Sequence, residues 1–459
     1  MQRIKKVALT GFMTVLLAMA AALTLSPLPL PRWWQSPVDA ALLSLGYNPH
    51  PVTLQLPPQK PLSAMAELGK ALFYDQALSG SGRLSCASCH SPSHDYGPIG
   101  TAAVATGGPA LQQQGFRAVP SLKYLYRQAL FSIGPETAGD KDQLPPVAIQ
   151  AQQATAHPHQ RKRADNTAQS ASALVPMGGL FWDGRADTLQ QQASIPLFNP
   201  VEMAAPSYAA VNAVLQKHYQ QAFSSLFGAS IFRHPREAVA EAMFAIARYQ
   251  IEDSSFHPFS SRYDAWLEGK ARLTAAQIRG YLAFNNPKQG NCAACHLDKP
   301  SKDGLPPLFT DQQYEALGVP RNQAIAANHD PHWHDLGLCG PFRHDMRQLT
   351  QYCGMFITPS LRNSARRPVY FHNGVFTALS QVLDWYVNRN RQPGRFYQHN
   401  ADGSVRLYDD LPRQFIANVD VTDAPFNRHP GEPPALSKAQ QRDILAFLGA
   451  LSDGYQPHH

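Results

Sequence analysis

Two motifs of the form Cys-x-x-Cys-His constrain the fold of this chain more than any other feature. They are Cys86-Ala-Ser-Cys89-His90 and Cys292-Ala-Ala-Cys295-His296. Two thiols three residues apart share one helical turn, where both reach the vinyl groups of a single porphyrin, and the adjacent histidine meets the iron from one face. Each motif therefore predicts a covalently attached haem c, with His90 and His296 as axial iron ligands.

The same cysteines would also suit a redox-active Cys-x-x-Cys pair or a zinc site. Structural zinc takes four ligands, so each motif would need a second ligand pair close by. In the sequence only His94 lies near the first motif, and its surroundings are typical of a surface loop. Two matches in one chain favour two haems c over both alternatives.

The N-terminus predicts export from the cytoplasm. The run from Val7 to Leu25 carries no charge, and a helix of that length spans ~28 Å, close to the hydrocarbon thickness of a bilayer. Basic residues precede the run, so the positive-inside rule places the rest of the chain in the periplasm. Residues 1–30 are either an anchor in the inner membrane or a signal peptide, with Ala18-Met19-Ala20 as the candidate cleavage site.

The remaining two cysteines, Cys339 and Cys353, are interpreted in the light of this export. In an oxidising compartment an even number of cysteines outside the haem motifs predicts a disulfide bond. The alternative is two buried free thiols.

The net charge limits the classes of partner. The chain has 40 Lys+Arg and 33 Asp+Glu, a formal charge of +7 at pH 7, of which three positive charges lie in the N-terminal segment. The remaining surplus is too small for a nucleic-acid-binding surface. We therefore expect no nucleic-acid partner.

Apolar residues recur at intervals of three and four in six segments, which predicts amphipathic helices. These segments are Ser63–Tyr74, Ala209–Phe227, Arg236–Glu252, Thr274–Phe284, Leu379–Val387 and Ser437–Leu451. Ser437 is a plausible N-cap of the last helix. No convincing run of alternating strand residues appears, so the sequence predicts a mainly α-helical chain with long Pro-rich loops.

The chain contains an internal repeat. Pro120–Lys123 resembles Pro359–Arg362, and Leu180–Gly184 resembles Tyr370–Gly374. Each copy begins with one haem motif, which indicates a duplicated one-haem unit. An insertion rich in Gln, Ala and His, from about Tyr124 to Pro176, interrupts the first copy, and we interpret it as a low-complexity loop.

The two copies differ at one position that matters for the chemistry. Aligning Gly184 with Gly374 places Pro196 opposite Tyr386. If the Tyr386 hydroxyl reaches the second iron, the equivalent place at the first iron holds a proline, which has no donor atom. One haem is then saturated and suited to electron transfer, whereas the other is open to a small oxidant such as peroxide.

Spacing alone leaves other interpretations of this position open. Tyr386 fits equally well as an ordinary helix aromatic that faces the core. Met346 and Met355 are alternative axial ligands, although neither occupies the position that the repeat aligns.

These features resemble the bacterial dihaem cytochrome c peroxidases, and within that family the MauG-like branch. The resemblance covers nearly all of the chain after the N-terminal segment. Besides the two haem motifs, it includes the segments Phe181–Gln192 and Asn199–Met203, which match the family's peroxide site.

The resemblance implies a role for each matching residue. Glu202 and Gln192 correspond to distal residues at the N-terminal, peroxidatic haem, in a pocket that also contains Pro196. Trp182 corresponds to a tryptophan that relays electrons between the haems. Tyr386 stands where the peroxidase branch has a methionine ligand and the MauG-like branch has a tyrosine, so the resemblance favours Tyr386 as the ligand of the second iron.

Two departures from the peroxidase pattern have consequences. A phenolate ligand from Tyr386 favours ferric and higher-valent iron, whereas a thioether raises the reduction potential. Members of the family also bind calcium between their domains, partly through an asparagine side chain, and the corresponding position here is Lys123. Calcium is therefore an open expectation.

The resemblance implies a periplasmic peroxidase. Hydrogen peroxide is reduced at the open first haem, and electrons arrive through the second haem from a small redox protein, a cytochrome c or a cupredoxin. A MauG-like enzyme would instead use peroxide to oxidise Trp or Tyr side chains of a protein substrate, which Tyr386 favours. A non-enzymatic dihaem electron carrier is the third interpretation, and it requires two six-coordinate irons.

We therefore expect a mainly α-helical fold with two cytochrome c-like (class I) haem domains and long Pro-rich loops, preceded by the transmembrane or signal segment at residues 1–30. The first domain is expected to span residues 55–235 and to hold the peroxidatic haem. The second, residues 236–459, is expected to hold the electron-transfer haem.

Overall fold

A computed structural model describes residues 32–135 and 174–456. The predicted membrane anchor or signal peptide at residues 1–30 and most of the low-complexity insertion lie outside these ranges. Among the helices of the described residues, none combines the length and the apolar character needed to cross a bilayer.

The described chain is mainly helical, as predicted. Its α-helices are α1 (Arg32–Ser44), α2 (Ala64–Tyr74), α3 (Cys86–Cys89), α4 (Leu189–Phe198), α5 (Tyr208–Phe227), α6 (Pro235–Glu252), α7 (Arg262–Leu267), α8 (Ala275–Asn285), α9 (Leu379–Asn388) and α10 (Lys438–Gly449). Short 3₁₀ turns and long loops connect them. All six helices predicted from apolar spacing are confirmed, with ends that differ by at most two residues.

The strands are few and short. They are β1 (Thr106–Gly107), β2 (Gln113–Gln114), β3 (Ser132–Pro135), β4 (Leu174–Met177), β5 (Tyr314–Glu315) and β6 (Phe356–Ile357). They form three antiparallel pairs, β1–β2, β3–β4 and β5–β6. The β3–β4 pair joins the two ends of the predicted low-complexity insertion, with Ile133 opposite Pro176, so those ends are ordered by strand pairing rather than looped.

Side-chain caps fix where the predicted helices begin. The Ser63 hydroxyl accepts a hydrogen bond from the Ala66 amide at the start of α2. The Ser437 hydroxyl accepts one from the Gln440 amide at the start of α10. Each cap satisfies an amide that has no partner within its own helix, which confirms Ser437 as the predicted N-cap.

The first half of the molecule is built on the crossing of α2 and α6. At the crossing, a Cβ placed on Gly69 would lie 1.8 Å from the Ala245 carbonyl oxygen, so only glycine allows the two backbones to approach this closely. Phe73 of α2 meets Tyr249 of α6 edge to face, with ring centroids 5.6 Å apart. Helices α4 and α5 pack against this pair and complete the first core.

The second half repeats the arrangement with α8 and α10. A Cβ on Gly280 of α8 would lie 2.0 Å from the Asp443 carbonyl oxygen of α10. Phe284 and Phe447 pack edge to face across the same contact, with centroids 5.3 Å apart. The duplication inferred from sequence motifs is therefore present in the packing, and α6 is the counterpart of α10.

The two cores indicate which residues belong to each haem domain, and they can be compared with the domain boundary expected near residue 235. Helix α6 begins at that point, yet its buried face belongs to the first core together with Phe256. The segment before α2 packs the other way, since Leu54 belongs to the second core and the Trp266 indole donates to the Gly46 carbonyl. We therefore propose that the first domain extends through α6 to about residue 257, and that residues 37–56 belong to the second.

A disulfide bond joins Cys339 and Cys353. It closes a loop between β5 and β6, beside a small cluster of buried residues that contains Leu338 and Met355. The predicted pairing is confirmed, and the alternative of two free thiols is wrong.

Candidate functional site: two haem clefts

The first motif lines a cleft in the first half. Cys86 and Cys89 form helix α3, are free thiols and face the cleft together with His90. The His90 Nδ1–H donates to the Tyr96 carbonyl at 3.2 Å, which leaves Nε2 available to a metal. Burial lowers the pKa of His90 to about 4, so the imidazole is neutral, the form that binds iron.

The predicted peroxide-site residues line the same first cleft. Helix α4 contributes Gln192 and Pro196, and the loop after it contributes Glu202. The Gln192 side chain is 6% exposed. The Glu202 Oε2 atom is buried without a hydrogen-bond partner among the described residues. The structure therefore brings the predicted distal residues to the cleft that contains Cys86.

Burial also controls the protonation of Glu202. Removal from water raises the pKa of its carboxyl group, while the nearby Arg185 guanidinium and a hydrogen bond with Asn199 lower it in part. A carboxyl group with a raised pKa exchanges protons closer to neutral pH than an ordinary glutamate does.

The second motif lines the corresponding cleft in the second half. Cys292 and Cys295 form no disulfide bond and line this cleft, and the His296 Nδ1–H donates to the Phe309 carbonyl at 2.9 Å. Tyr386 of α9 lines the same cleft. Its ring packs against Phe426, with centroids 5.1 Å apart, and burial raises the pKa of its hydroxyl, with a further contribution from the two cysteines. No hydrogen bond to this hydroxyl is present among the described residues.

Pro196 and Tyr386 occupy equivalent positions in the two halves. Pro196 lies seven residues after the first residue of α4, and Tyr386 lies seven residues after the first residue of α9. The same strained turn precedes both helices, with φ +67° at Phe181 and +65° at Phe371. The structure therefore supports the alignment of the two residues. Met346 and Met355 lie in a separate buried cluster and line neither cleft.

Trp182 connects the two clefts. It lines both of them and is 8% exposed. Its indole N–H donates to the Ala118 carbonyl at 2.8 Å, and the Ala118 amide donates to the His372 carbonyl at 2.7 Å. His372 occupies the position of Trp182 in the second copy of the repeat, so a single residue joins the two repeated turns.

A buried ion network surrounds Trp182, and the sequence did not predict it. Arg117 binds Asp335 through two hydrogen bonds of 2.6 and 2.7 Å and lies 2.7 Å from Asp183. Arg185 donates to the other oxygen of Asp183. Burial alone would raise the pKa of Asp183, but the two arginines hold it below its ordinary value. Arg117 and Asp335 are 218 residues apart, so no sequence spacing connects them.

Lys123 lies where the sequence raised the question of calcium. Its ammonium is 2.9 Å from Asp95 and 3.1 Å from Asp453, and its side chain is 9% exposed. The Tyr124 hydroxyl donates to the same Asp453 carboxylate. These residues do not fit a calcium ion, because a fixed cation already occupies the space between the carboxylates. No group of three His, Cys, Asp or Glu side chains suited to a metal is present in residues 32–135 and 174–456.

The two clefts fit haem c on the evidence of their own atoms. Each offers two cysteines outside any disulfide bond and a histidine whose Nε2 is available, within walls that are largely apolar. A c-type cytochrome with two haem sites is the class of protein that this fold and these sites define.

Comparisons with known proteins agree. The family model described as di-haem cytochrome c peroxidase matches residues 63–272. Methylamine utilization protein MauG of Paracoccus denitrificans is 34% identical over 337 residues, 70% of this chain and 74% of that protein. Cytochrome-c peroxidase IdrP1 of a Pseudomonas species (strain SCT) is 28% identical over 429 residues, 88% of this chain and 86% of that protein.

A solved structure is similar as well. The crystal structure of the diheme peroxidase BthA from Burkholderia thailandensis has a TM-score of 0.72 and 34% identity, and the match covers 88% of this chain and 89% of that one. The chain belongs to the di-haem cytochrome c peroxidase family. It is a haem peroxidase, an oxidoreductase that uses peroxide and carries two haems c. The interpretation as a non-enzymatic electron carrier is therefore wrong.

The Lys123 contacts predict an interface that needs its lysine and no calcium. Lys123→Met removes the cation that lies between Asp95 and Asp453, and loss of one partner from a buried ion pair costs on the order of 3 kcal/mol. The free energy of unfolding, measured by urea titration, should fall by about that amount. The exposed Lys217→Met on α5 serves as the control and should change it little. A melting temperature of the unmodified protein that rises with calcium or falls with EDTA would contradict this account.

Proposed function

We propose that this protein reduces hydrogen peroxide at the haem of the first cleft, with electrons supplied through the haem of the second. The observation that carries the proposal is the buried Glu202 carboxylate, whose Oε2 has no partner among the described residues in a cleft that offers no axial donor from Pro196. A buried carboxylate oxygen without a partner is costly, and proton transfer to a substrate explains why it is retained.

Each side chain of the first cleft has a distinct part in this proposal. A haem held there by Cys86, Cys89 and His90 would supply the redox chemistry for cleavage of the peroxide O–O bond. Glu202 takes a proton from the near oxygen of peroxide and returns it to the far oxygen, which leaves as water. Gln192 orients the oxidant through its amide. Pro196 lines the cleft without offering a side-chain donor to the metal, which would leave room there for peroxide.

The second cleft contributes the other redox centre. Tyr386 is the proposed axial ligand there, since its hydroxyl has no hydrogen bond among the described residues and shares the cleft with Cys292 and Cys295. Trp182 is the proposed electron relay, because it lines both clefts. The electron donor in this proposal is a small cytochrome c or cupredoxin.

A second function has support from one observation. A tyrosine ligand favours oxidised iron, so the second haem is suited to hold oxidising equivalents. A MauG-like enzyme would use them to oxidise Trp or Tyr side chains of a partner protein, and a protein named MauG is among the relatives.

We further propose that the enzyme works in the periplasm, either released or held at the inner membrane by its N-terminal segment. Support comes from the Cys339–Cys353 disulfide, which persists in oxidising compartments, and from the uncharged run at residues 7–25.

Replacement of Glu202 tests the proposed proton transfer. Glu202→Gln should slow peroxide turnover by about 10²–10⁴-fold while both haems stay attached. In the unmodified enzyme the carboxylate is lost as the pH falls through its raised pKa, so turnover should decline on the acid side at a higher pH than for an ordinary glutamate. The variant should lack that decline. Steady-state rates against pH check both points, with the exposed Glu237→Gln as the control; equal rates for both variants would remove Glu202 from the mechanism.

Electron paramagnetic resonance tests the proposed asymmetry of the two irons. The resting ferric protein should show one high-spin signal from the first haem and one low-spin signal from the second. Tyr386→Phe should convert the low-spin signal to high-spin, because phenylalanine has no donor atom. Tyr208→Phe, which lies outside both clefts, should leave the spectrum unchanged. Two low-spin signals in the resting protein would contradict the open first site.

Stopped-flow spectroscopy separates the two functions. After peroxide is added, the peroxidase function predicts rapid oxidation of a reduced cytochrome c or cupredoxin in proportion to peroxide consumed. The MauG-like function predicts a long-lived oxidised state that reduced cytochrome does not discharge quickly. The outcome with the donor present decides between them.

A further inference from the structure

We propose that Ser364 and Arg367 bind a propionate carboxylate of the haem in the second cleft. This inference rests on the proposed function only in requiring a haem in that cleft. It assigns an anion-binding task to two residues that the catalytic proposal does not use.

Ser364 has a buried hydroxyl with nothing to bind. The residue is 4% exposed and lines the second cleft. Its Oγ atom has no hydrogen-bond partner among the described residues. A buried hydroxyl without a partner costs about 1–3 kcal/mol, so its presence in the cleft wall indicates a partner that belongs to the occupant of the cleft.

The Arg367 guanidinium has more N–H donors than it has hydrogen-bond acceptors among the described residues. Its guanidinium lines the same cleft and donates one hydrogen bond, to the Val119 carbonyl at 3.1 Å. A guanidinium carries five N–H donors, and none of the ion pairs found among the described residues involves Arg367. Arg362, which is also buried, has the Asp264 carboxylate at 2.7 Å. Arg367 therefore lacks an anion that a comparable arginine has.

The backbone brings these two side chains to one side of a turn. Residues Ser364–Arg366 form a 3₁₀ turn, and the Arg367 amide donates to the Ser364 carbonyl at 3.2 Å. In 3₁₀ geometry the side chains of residues i and i+3 lie above one another. The Tyr370 hydroxyl donates to the same carbonyl and holds the turn in place.

The chemistry of the cleft identifies the anion as a carboxylate of haem. Apolar side chains such as Leu383, Ile444 and Leu448 line the cleft and suit the porphyrin plane. The propionates are the charged groups of haem, and a hydroxyl beside a guanidinium offers a carboxylate two charge-assisted hydrogen bonds.

Arg367 also lies close to the first haem site. Its guanidinium donates to the Val119 carbonyl, and Val119 lines the first cleft together with Pro120 and His90. Loss of this charge should therefore affect both haems, and the second more strongly.

Spectroelectrochemical titration of the dihaem protein tests the proposal. A cation beside a propionate favours the reduced haem, so Arg367→Gln should shift the reduction potential of the second haem to a more negative value and that of the first haem less. Ser364→Ala should shift the second potential in the same direction, and Arg367→Lys should shift it less than Arg367→Gln. The neighbouring Arg366 has a half-exposed side chain that binds Asp95, so Arg366→Gln removes the same charge outside the cleft and should leave both potentials near those of the unmodified protein.

Two results would overturn the proposal that Ser364 and Arg367 bind a haem propionate. One is an unchanged second potential in Arg367→Gln and Ser364→Ala, with both haems retained by pyridine haemochrome assay. The other is a shift in Arg366→Gln as large as that in Arg367→Gln. Failure of the proposed function is a separate result, because it appears as absent peroxide turnover in the unmodified protein, whatever the potentials of these variants.

Discussion

Each haem cleft depends on one close contact between the backbones of two helices. Gly69 against Ala245 in the first half, and Gly280 against Asp443 in the second, bring the helices nearer than any side chain at the glycine would allow. In each half, aromatic side chains pack across the crossing. The haem motif contacts one helix of the same pair. Because both halves use the same kind of crossing, the two clefts share one helical outline and carry different side chains.

This shared outline allows one fold to support the two kinds of metal site that we propose. The turn before α4 and the turn before α9 have the same backbone conformation, so Pro196 and Tyr386 arrive at equivalent places. The first half adds Glu202 and Gln192 to its cleft, and burial raises the pKa of Glu202. The proposed division of labour thus rests on a few side chains on a common frame.

The sequence predicted those parts of the structure that local patterns encode. Apolar spacing located six of the ten α-helices of the described residues, and the repeat aligned Pro196 with Tyr386. Helix α4 was missed because its apolar residues have no regular face and a proline interrupts it. The predicted division near residue 235 did not include α6 in the first domain, although α6 completes the first core. The helix on which α6 packs is decided by tertiary contacts that apolar spacing does not encode. For the same reason the Arg117–Asp335 pair and the carboxylates around Lys123 could not be inferred from spacing.

The hydrogen bonds of Ala118 have a consequence for how the enzyme tolerates sequence change. The carbonyl of this residue accepts a hydrogen bond from the Trp182 indole, and its amide donates one to the His372 carbonyl. Both bonds use main-chain atoms, which every substitution at position 118 other than proline retains. The contact between the two repeated turns, and with it the proposed route for electrons through Trp182, therefore depends on the path of the backbone rather than on the identity of a side chain.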